Sequence, residues 1–409
     1  MHRPSGASMP RAAQVVTPWP PDVLCCRYAS LRVLPQARRG AMKALVVGGT
    51  ASTGPHIVAE LQARGYEVVV YHRGVHEVPL PGEVEHLHGE PHFPEAIERD
   101  LAGRRFDLVV ATYGRIRHLA EALRGRTPRL VTVGGFPVMK GWMAVADPQH
   151  MVRDGPVPIP GEEDQPYEEP GVDRFVDRMI ATERTVLAAH AAGEYKATHF
   201  RYPYVYGPHA VYPWEWQIAK RVLDGRRRHI VQDGGQLLYT RCASPNAAHA
   251  IGLAIDRPEI SGGEIYHVAD DVQLTRREWV EAIGRVMGFE FEFVDIPRGV
   301  APAGYSWVPD RGPQFHRLLS HAKLKGQLGY RDAVPPLEWI RVTLEHQLAH
   351  PPPVDGQGNH LRPEDFDYAA EDALLAVWDE LVSRVPEAFG RQRHFRHPYP
   401  HPKREGDLL

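Results

Sequence analysis

Cysteine is scarce in this chain of 409 residues: there are three, and two of them, Cys25 and Cys26, are adjacent near the N-terminus. Cys242 is left alone in the body of the sequence, which excludes a disulfide framework and a cysteine-rich zinc site and suits a cytoplasmic location. An excess of basic charge is also missing. Lys+Arg 48 against Asp+Glu 51 leaves −3, so no global field draws the chain to nucleic acid. No apolar run approaches the ~18–20 residues that span a bilayer, and the mean hydropathy is −0.38. What remains is an ordinary globular composition, 43% hydrophobic and 24% charged. The length suits two or three domains, or one large α/β domain with an insert.

The two ends differ from the middle. Residues 1–41 hold six Pro, six Arg and a single acidic residue, Asp22, without helical or strand periodicity. They read as a disordered or over-called extension, because Met42-Lys43-Ala44-Leu45-Val46-Val47 has the character of a natural start. At the other end, Pro351-Pro352-Pro353 breaks the chain after a helix expected near 336–349. A further helix is expected over 367–385, followed by a His- and Pro-rich stretch from His394 to His401 that reads as a surface tail. The boundaries are therefore 1–41, 42–345 and 346–409.

Residues 43–47 form an apolar strand, and Gly48-Gly49-Thr50-Ala51-Ser52-Thr53-Gly54 follows it. Pro55 opens a helix that Gly65 stops, and Glu67 to Tyr71 is a second strand. Strand, glycine-rich turn, helix and strand in about 30 residues is the setting in which backbone amides and a helix N-terminus receive a pyrophosphate. After the second strand the sequence reads Tyr71-His72-Arg73-Gly74, with no carboxylate for ribose hydroxyls. Arg73 can pair with a 2′-phosphate, which tilts the choice between NADP and NAD toward NADP. Further strands at 106–111 and 129–133, with helices near 94–102 and 115–124, predict an α/β fold: a Rossmann-type, doubly wound parallel sheet.

Three segments carry a family resemblance: the turn from Gly48 to Gly54, Phe200-Arg201-Tyr202-Pro203-Tyr204-Val205-Tyr206-Gly207-Pro208, and Gly263-Glu264-Ile265-Tyr266-His267-Val268. Over roughly 42–345 the chain resembles the extended short-chain dehydrogenase/reductases, the NAD-dependent epimerase/dehydratase family. The Arg73-Gly74 ending and His86-Leu87-His88-Gly89-Glu90 are closest to the branch that contains the chloroplast stem-loop-binding proteins. The resemblance implies a cofactor-binding Rossmann core over about 42–200, with Glu90 at the cofactor's edge. It also implies a smaller C-terminal α/β lobe, mostly after 200, for the substrate. The substrate class implied is a sugar nucleotide or another small carbonyl- or hydroxyl-bearing metabolite, and a homodimer is compatible with it.

The catalytic set of that family is absent here. Its middle glycine falls on Ala51, and its Ser or Thr falls on Gly134-Gly135. Its Tyr-x-x-x-Lys pair falls on Phe175 and Met179, one face of a helix expected over 173–190. Neither moves a proton, and positioned acid–base groups are worth about 10²–10⁴ in rate. Three readings follow. The first is an atypical isomerase, lyase or oxidoreductase that draws on Tyr113, Arg115, Lys140, Tyr206, His209 or Arg241. Of these His209 is the leading proton carrier, and Trp214 and Trp216 are candidate pocket walls. The second is an NAD(P)-binding sensor or scaffold, with Phe175 and Met179 packed toward the nicotinamide side. The third is RNA binding, whose local support is Arg226-Arg227-Arg228-His229.

Overall fold

The structure, a computed structural model, describes residues 42–142, 158–297, 315–356 and 361–388. The sequence expectations for 1–41 and for the tail after 388 lie outside these residues. Strand β1 (Met42–Val47) is followed by helix α1 (Gly54–Ala63), β2 (Tyr66–His72), β3 (Glu85–His88) and α2 (Pro94–Asp100). Then come β4 (Leu108–Ala111), α3 (Ile116–Ala122), β5 (Arg129–Gly135), α4 (Arg174–Ala191) and β6 (Lys196–Tyr202). These strands form a parallel sheet in the order β3-β2-β1-β4-β5-β6, the doubly wound arrangement of dinucleotide-binding domains.

The sheet is apolar on both faces because helices cover both. Along β1, Ala44 and Val46 enter one core with Ile57, Val58 and Leu61 of α1. Leu45 and Val47 enter the other core, with residues of α2, α3 and α4 such as Ile97, Leu119 and Val186. The strand period of two divides these side chains between the layers.

Beyond β6 the chain builds a second lobe. It holds β7 (Tyr204–Tyr206), α5 (Trp214–Leu223), β8 (Arg228–Val231), β9 (Arg241–Ala243), α6 (Ser244–Asp256) and α7 (Pro258–Ser261). The sequence from Gly263 to Val268 then forms β10 (Ile265–His267), which returns to the main sheet as its seventh strand beside β6. Next are α8 (Arg276–Val286), β11 (Glu292–Asp295), α9 (Ala322–Leu328), α10 (Pro336–Ala349) and α11 (Tyr368–Ala388). The lobe has two short parallel pairs, β7 with β9 and β8 with β11. Tyr206, Trp216, Trp279 and Trp339 lie in its core.

Helices α6 and α9 and strand β10, all later in sequence than residue 200, pack into the same core as β1 and α1. Strand β3 has no counterpart in the sequence reading. It is a short edge strand, Glu-His-Leu-His, with mostly exposed side chains, so no apolar run announces it.

Candidate functional site

The strand order reverses between β1 and β4, and crevices at such a reversal, outside the carboxyl ends of the strands, are where α/β sheets bind ligands. The turn after β1 lies there. Gly48 and Gly49 take φ of +94° and +76°. A Cβ on Gly48 would stand 2.7 Å from Cβ of Tyr113, so the turn rests directly on the end of β4. A Cβ on Gly54 would lie 2.0 Å from the carbonyl oxygen of Gly49. Gly54 is thus required for the first turn of α1 to close on the loop. A side chain at this position would point at the loop's own backbone rather than out of the turn.

Thr50, Ala51 and Thr53 are half-buried along the turn, while Ser52 is buried. The Ser52 hydroxyl has no hydrogen-bond partner among the described residues. Gly207, from the Tyr206-Gly207-Pro208 segment, passes over it: a Cβ there would be 2.8 Å from Oγ of Ser52 and 2.9 Å from Nε1 of Trp339. His56 stands edge-on to Trp339, and burial holds its pKa down at about 4, so it is neutral at physiological pH.

Arg73 is exposed, and its guanidinium stands over the Tyr113 ring, 5.6 Å from the centroid. Tyr113 also takes His92 against its edge. It therefore stands between Arg73 and His92 at the end of β4. Glu90 is engaged by His92, and its amide donates to Asp100. Arg115 stands over Phe93.

At the end of β5 the expected degenerate positions come together. A Cβ on Gly135 would lie 3.6 Å from Cε of Met179, so α4 does present position 179 to Gly135. Phe175, one turn earlier, is 65% exposed. Within the chain it is not a packed apolar wall.

Beneath Gly134 lies a buried polar network that the sequence reading missed. Nδ1 of His199 is 2.7 Å from Oγ1 of Thr132, and its Nε2 is 3.3 Å from Oε1 of Glu183. Arg201 donates to both oxygens of Glu183, at 2.9 Å each. Burial alone would raise the Glu183 carboxyl, but the hydrogen bonds and charges of His199 and Arg201 outweigh it and hold the pKa at about 2. Tyr167 packs over Arg201, and burial together with Glu183 pushes its phenol up to about 12. The signal available in sequence was alternation: His199 and Arg201 are two apart on β6 and share a face.

Other proposed residues have structural duties. Tyr206 is fully buried and its hydroxyl donates to Asp270 at 2.9 Å. Arg241 is buried over the Trp279 ring, its pKa lowered to about 10 by burial. Trp216 is buried in the lobe core and Trp214 stacks on Tyr204, so neither is a free pocket wall. Lys140 pairs with Glu169 at 2.9 Å. His209 sits just past Gly207-Pro208 with φ +60°, an uncommon conformation outside glycine. Its ring lies edge-on to His346, 4.3 Å between centroids. Desolvation and the neighbouring His350 lower its pKa.

The basic run is not a free surface. Arg226 pairs with Asp372, Arg228 with Asp379 and Glu292, and His229 is buried against Phe291 and Phe293. Helix α11 supplies both aspartates, while Arg227 is exposed.

No family model matches the chain. It is 24% identical over 309 residues to a 3-diazoavenalumate denitrifying reductase from a Streptomyces species, covering 72% of this chain and 97% of that protein. It is 29% identical over 268 residues to a 2′-dehydrokanamycin reductase from Streptomyces kanamyceticus, covering 63% and 70%. Among solved structures, a UDP-glucose 4-epimerase from Thermotoga maritima with UDP-glucose superposes with a TM-score of 0.60 at 18% identity, over 75% of this chain and 99% of that one. The Thermus thermophilus UDP-glucose 4-epimerase in complex with NAD superposes with a TM-score of 0.57 at 23% identity, over 76% and 100%. Solved neighbours include, besides these epimerases, dTDP-glucose 4,6-dehydratases with NAD bound, and this chain has the Rossmann-type fold they share.

Proposed function

We propose that the chain is an NAD(P)-dependent enzyme that reduces or epimerises a small carbonyl- or hydroxyl-bearing metabolite, with sugar-derived compounds the first class to assay. The observation that carries this reading is the turn from Gly48 to Gly54 at the switch point, whose three glycines let it close tightly between β1 and α1, with a buried Ser52 hydroxyl that has no partner among the described residues. These features fit a pyrophosphate. The backbone of the turn and Ser52 would hold the phosphates. Arg73, with no carboxylate beside it at the end of β2, would favour a 2′-phosphate and hence NADP. When bound, the dinucleotide supplies hydride chemistry at its nicotinamide ring.

The chain's own residues then have to polarise a carbonyl and move a proton. We assign the first task to the backbone at the carboxyl end of β5, where Gly135 is the last residue of the ladder. For the second, His209 is our choice. It is exposed on one side, neutral at physiological pH, and held in a conformation that costs energy. That both curated relatives are reductases supports reduction ahead of epimerisation. The apolar Phe175 and Met179 favour a second reading, cofactor retention without turnover.

Native mass spectrometry of the purified chain tests the proposal. Co-purified or added NADP should be retained one per chain, and Arg73→Ala should weaken NADP while sparing NAD. Absence of any retained or titratable dinucleotide would sink the cofactor assignment, and unaltered NADP affinity in Arg73→Ala would remove Arg73 from it. With substrate in hand, His209→Ala should lower kcat by orders of magnitude; a robust reaction in that variant would remove His209 from the role.

A further inference from the structure

The end of β2 and the edge strand β3 gather three histidines. In the parallel register His72 pairs with His88 and Val70 with His86. Residues two apart on a strand face the same side, so the three imidazoles share one face. Ring centroids are 4.7 Å apart for His72 and His88, and 5.1 Å for His72 and His86. Nε2 of His72 is 2.8 Å from Nδ1 of His86. Glu77, from the connection between the strands, places Oε1 3.0 Å from Nε2 of His88. One donor atom from each of the four residues lies within 4.8 Å of all the others.

We propose that His72, Glu77, His86 and His88 bind a divalent transition-metal cation, with zinc the best match. Three imidazoles and one carboxylate are zinc's donor types and its usual number, whereas magnesium and calcium require more oxygen. Tetrahedral bonds of about 2.0–2.2 Å put ligand atoms roughly 3.3 Å from one another. The two close pairs open slightly and the wider separations contract by at most about 1.5 Å, within reach of side-chain rotation. His72 is 3% exposed and fixed at the strand end, while the other three are exposed and free to adjust. One local change accompanies binding. Nδ1 of His72 faces the Gly74 amide at 3.2 Å, and coordination through Nε2 puts the imidazole proton on Nδ1. The Gly74 peptide then turns away, which glycine at φ +72° permits. The bound cation ties the 73–84 connection to the sheet edge beside Arg73. This site does not depend on the dinucleotide reading.

The test uses the full-length chain stripped with a chelator. Zinc is titrated against a chromophoric competitor, and cobalt(II) reports the geometry by its visible spectrum. One zinc per chain and an intense tetrahedral cobalt spectrum are expected. The double variant His86→Ala/His88→Ala should weaken zinc by more than about 100-fold, beyond what losing an outer partner costs. Its circular dichroism and metal-free melting temperature should match the parent, which separates site loss from misfolding. The C-terminal stretch also contains His394, His397 and His401, so a variant with these three changed to Ala should bind zinc as the parent does. Absence of stoichiometric binding at micromolar zinc, an octahedral cobalt spectrum, binding that survives the double variant, or binding lost with the C-terminal histidines would each overturn the proposal.

Discussion

Two adjacent glycines at the end of β5 sit in different surroundings. A Cβ on Gly134 would fall 2.6 Å from Nε2 of His199, inside a network with no slack. At Gly135 the nearest atom is Cδ of Pro137, at 3.2 Å. We therefore expect Gly135→Ser to fold with a melting temperature near the parent's, and Gly134→Ser to lose stability, by about 1–3 kcal/mol as overpacking does. Thermal melts of the two variants decide the matter. The same contrast says which position can be rebuilt toward a serine, though Phe175→Tyr alone should leave the native reaction no faster, since no lysine stands at 179.

Two buried carboxyls at this scale respond to pH in opposite directions. Asp270 is pushed up to about 7 by burial, against hydrogen bonds from Asn246, Ala243 and Tyr206. Its folded pKa exceeds the ordinary 3.8, so its stabilising contribution is complete below about pH 4 and is lost as pH rises through 7. Glu183, held at about 2, contributes above its ordinary 4.5 and loses that contribution as pH falls toward 2. Asp270→Asn should flatten the stability profile between pH 4 and 7, leaving the acid limb of Glu183 in place. Denaturant unfolding across that range is the check, and an unchanged slope between 4 and 7 would count against the burial argument.

At the scale of elements, α11 is the instructive case. It packs Leu375, with Leu374 and Trp378, against Ile230, Val294 and Ile296 of the β8–β11 pair. Glu371 meets Arg221 at 2.8 Å with both side chains buried. Glu371→Ala strands a buried guanidinium, a loss of about 3–5 kcal/mol, and should lower the melting temperature far more than Asp379→Ala, whose partner Arg228 is partly exposed. Comparable melts for the two variants would mean that α11 does not depend on the buried pair.

The helix itself was legible from its apolar spacing at Ala370, Leu374, Val377 and Leu381, as were β1, α1, β2 and the helix at 174–191. Local periodicity encodes these. Its docking was not legible, because it depends on Arg221, Arg226 and Arg228 lying far away in sequence. The same limit explains the site: the turn at 48–54 announces itself locally, whereas Glu183 meets His199 and Arg201 only once α4 lies on the sheet. Strand β3 escaped notice because an edge strand with exposed polar side chains has no apolar signature.

At the scale of the whole chain, β1 pairs with β2 from Met42 onward. A chain starting at Met42 should melt within a few degrees of the full-length protein; a large drop would mean that residues 1–41 pack on it. The return of β10 to the side of β6 has a larger consequence. Ile265 pairs with His199, so the chain from 204 to 264 must be looped out before the last strand of the sheet can close. Closure over that span is entropically costly and late. Until then β6 offers an open edge to any other strand in solution. No single cut separates the lobes into two foldable halves, and a fragment ending near 203 is condemned to stickiness. Refolding yield should fall with protein concentration, and the time spent waiting for β10 sets how steeply.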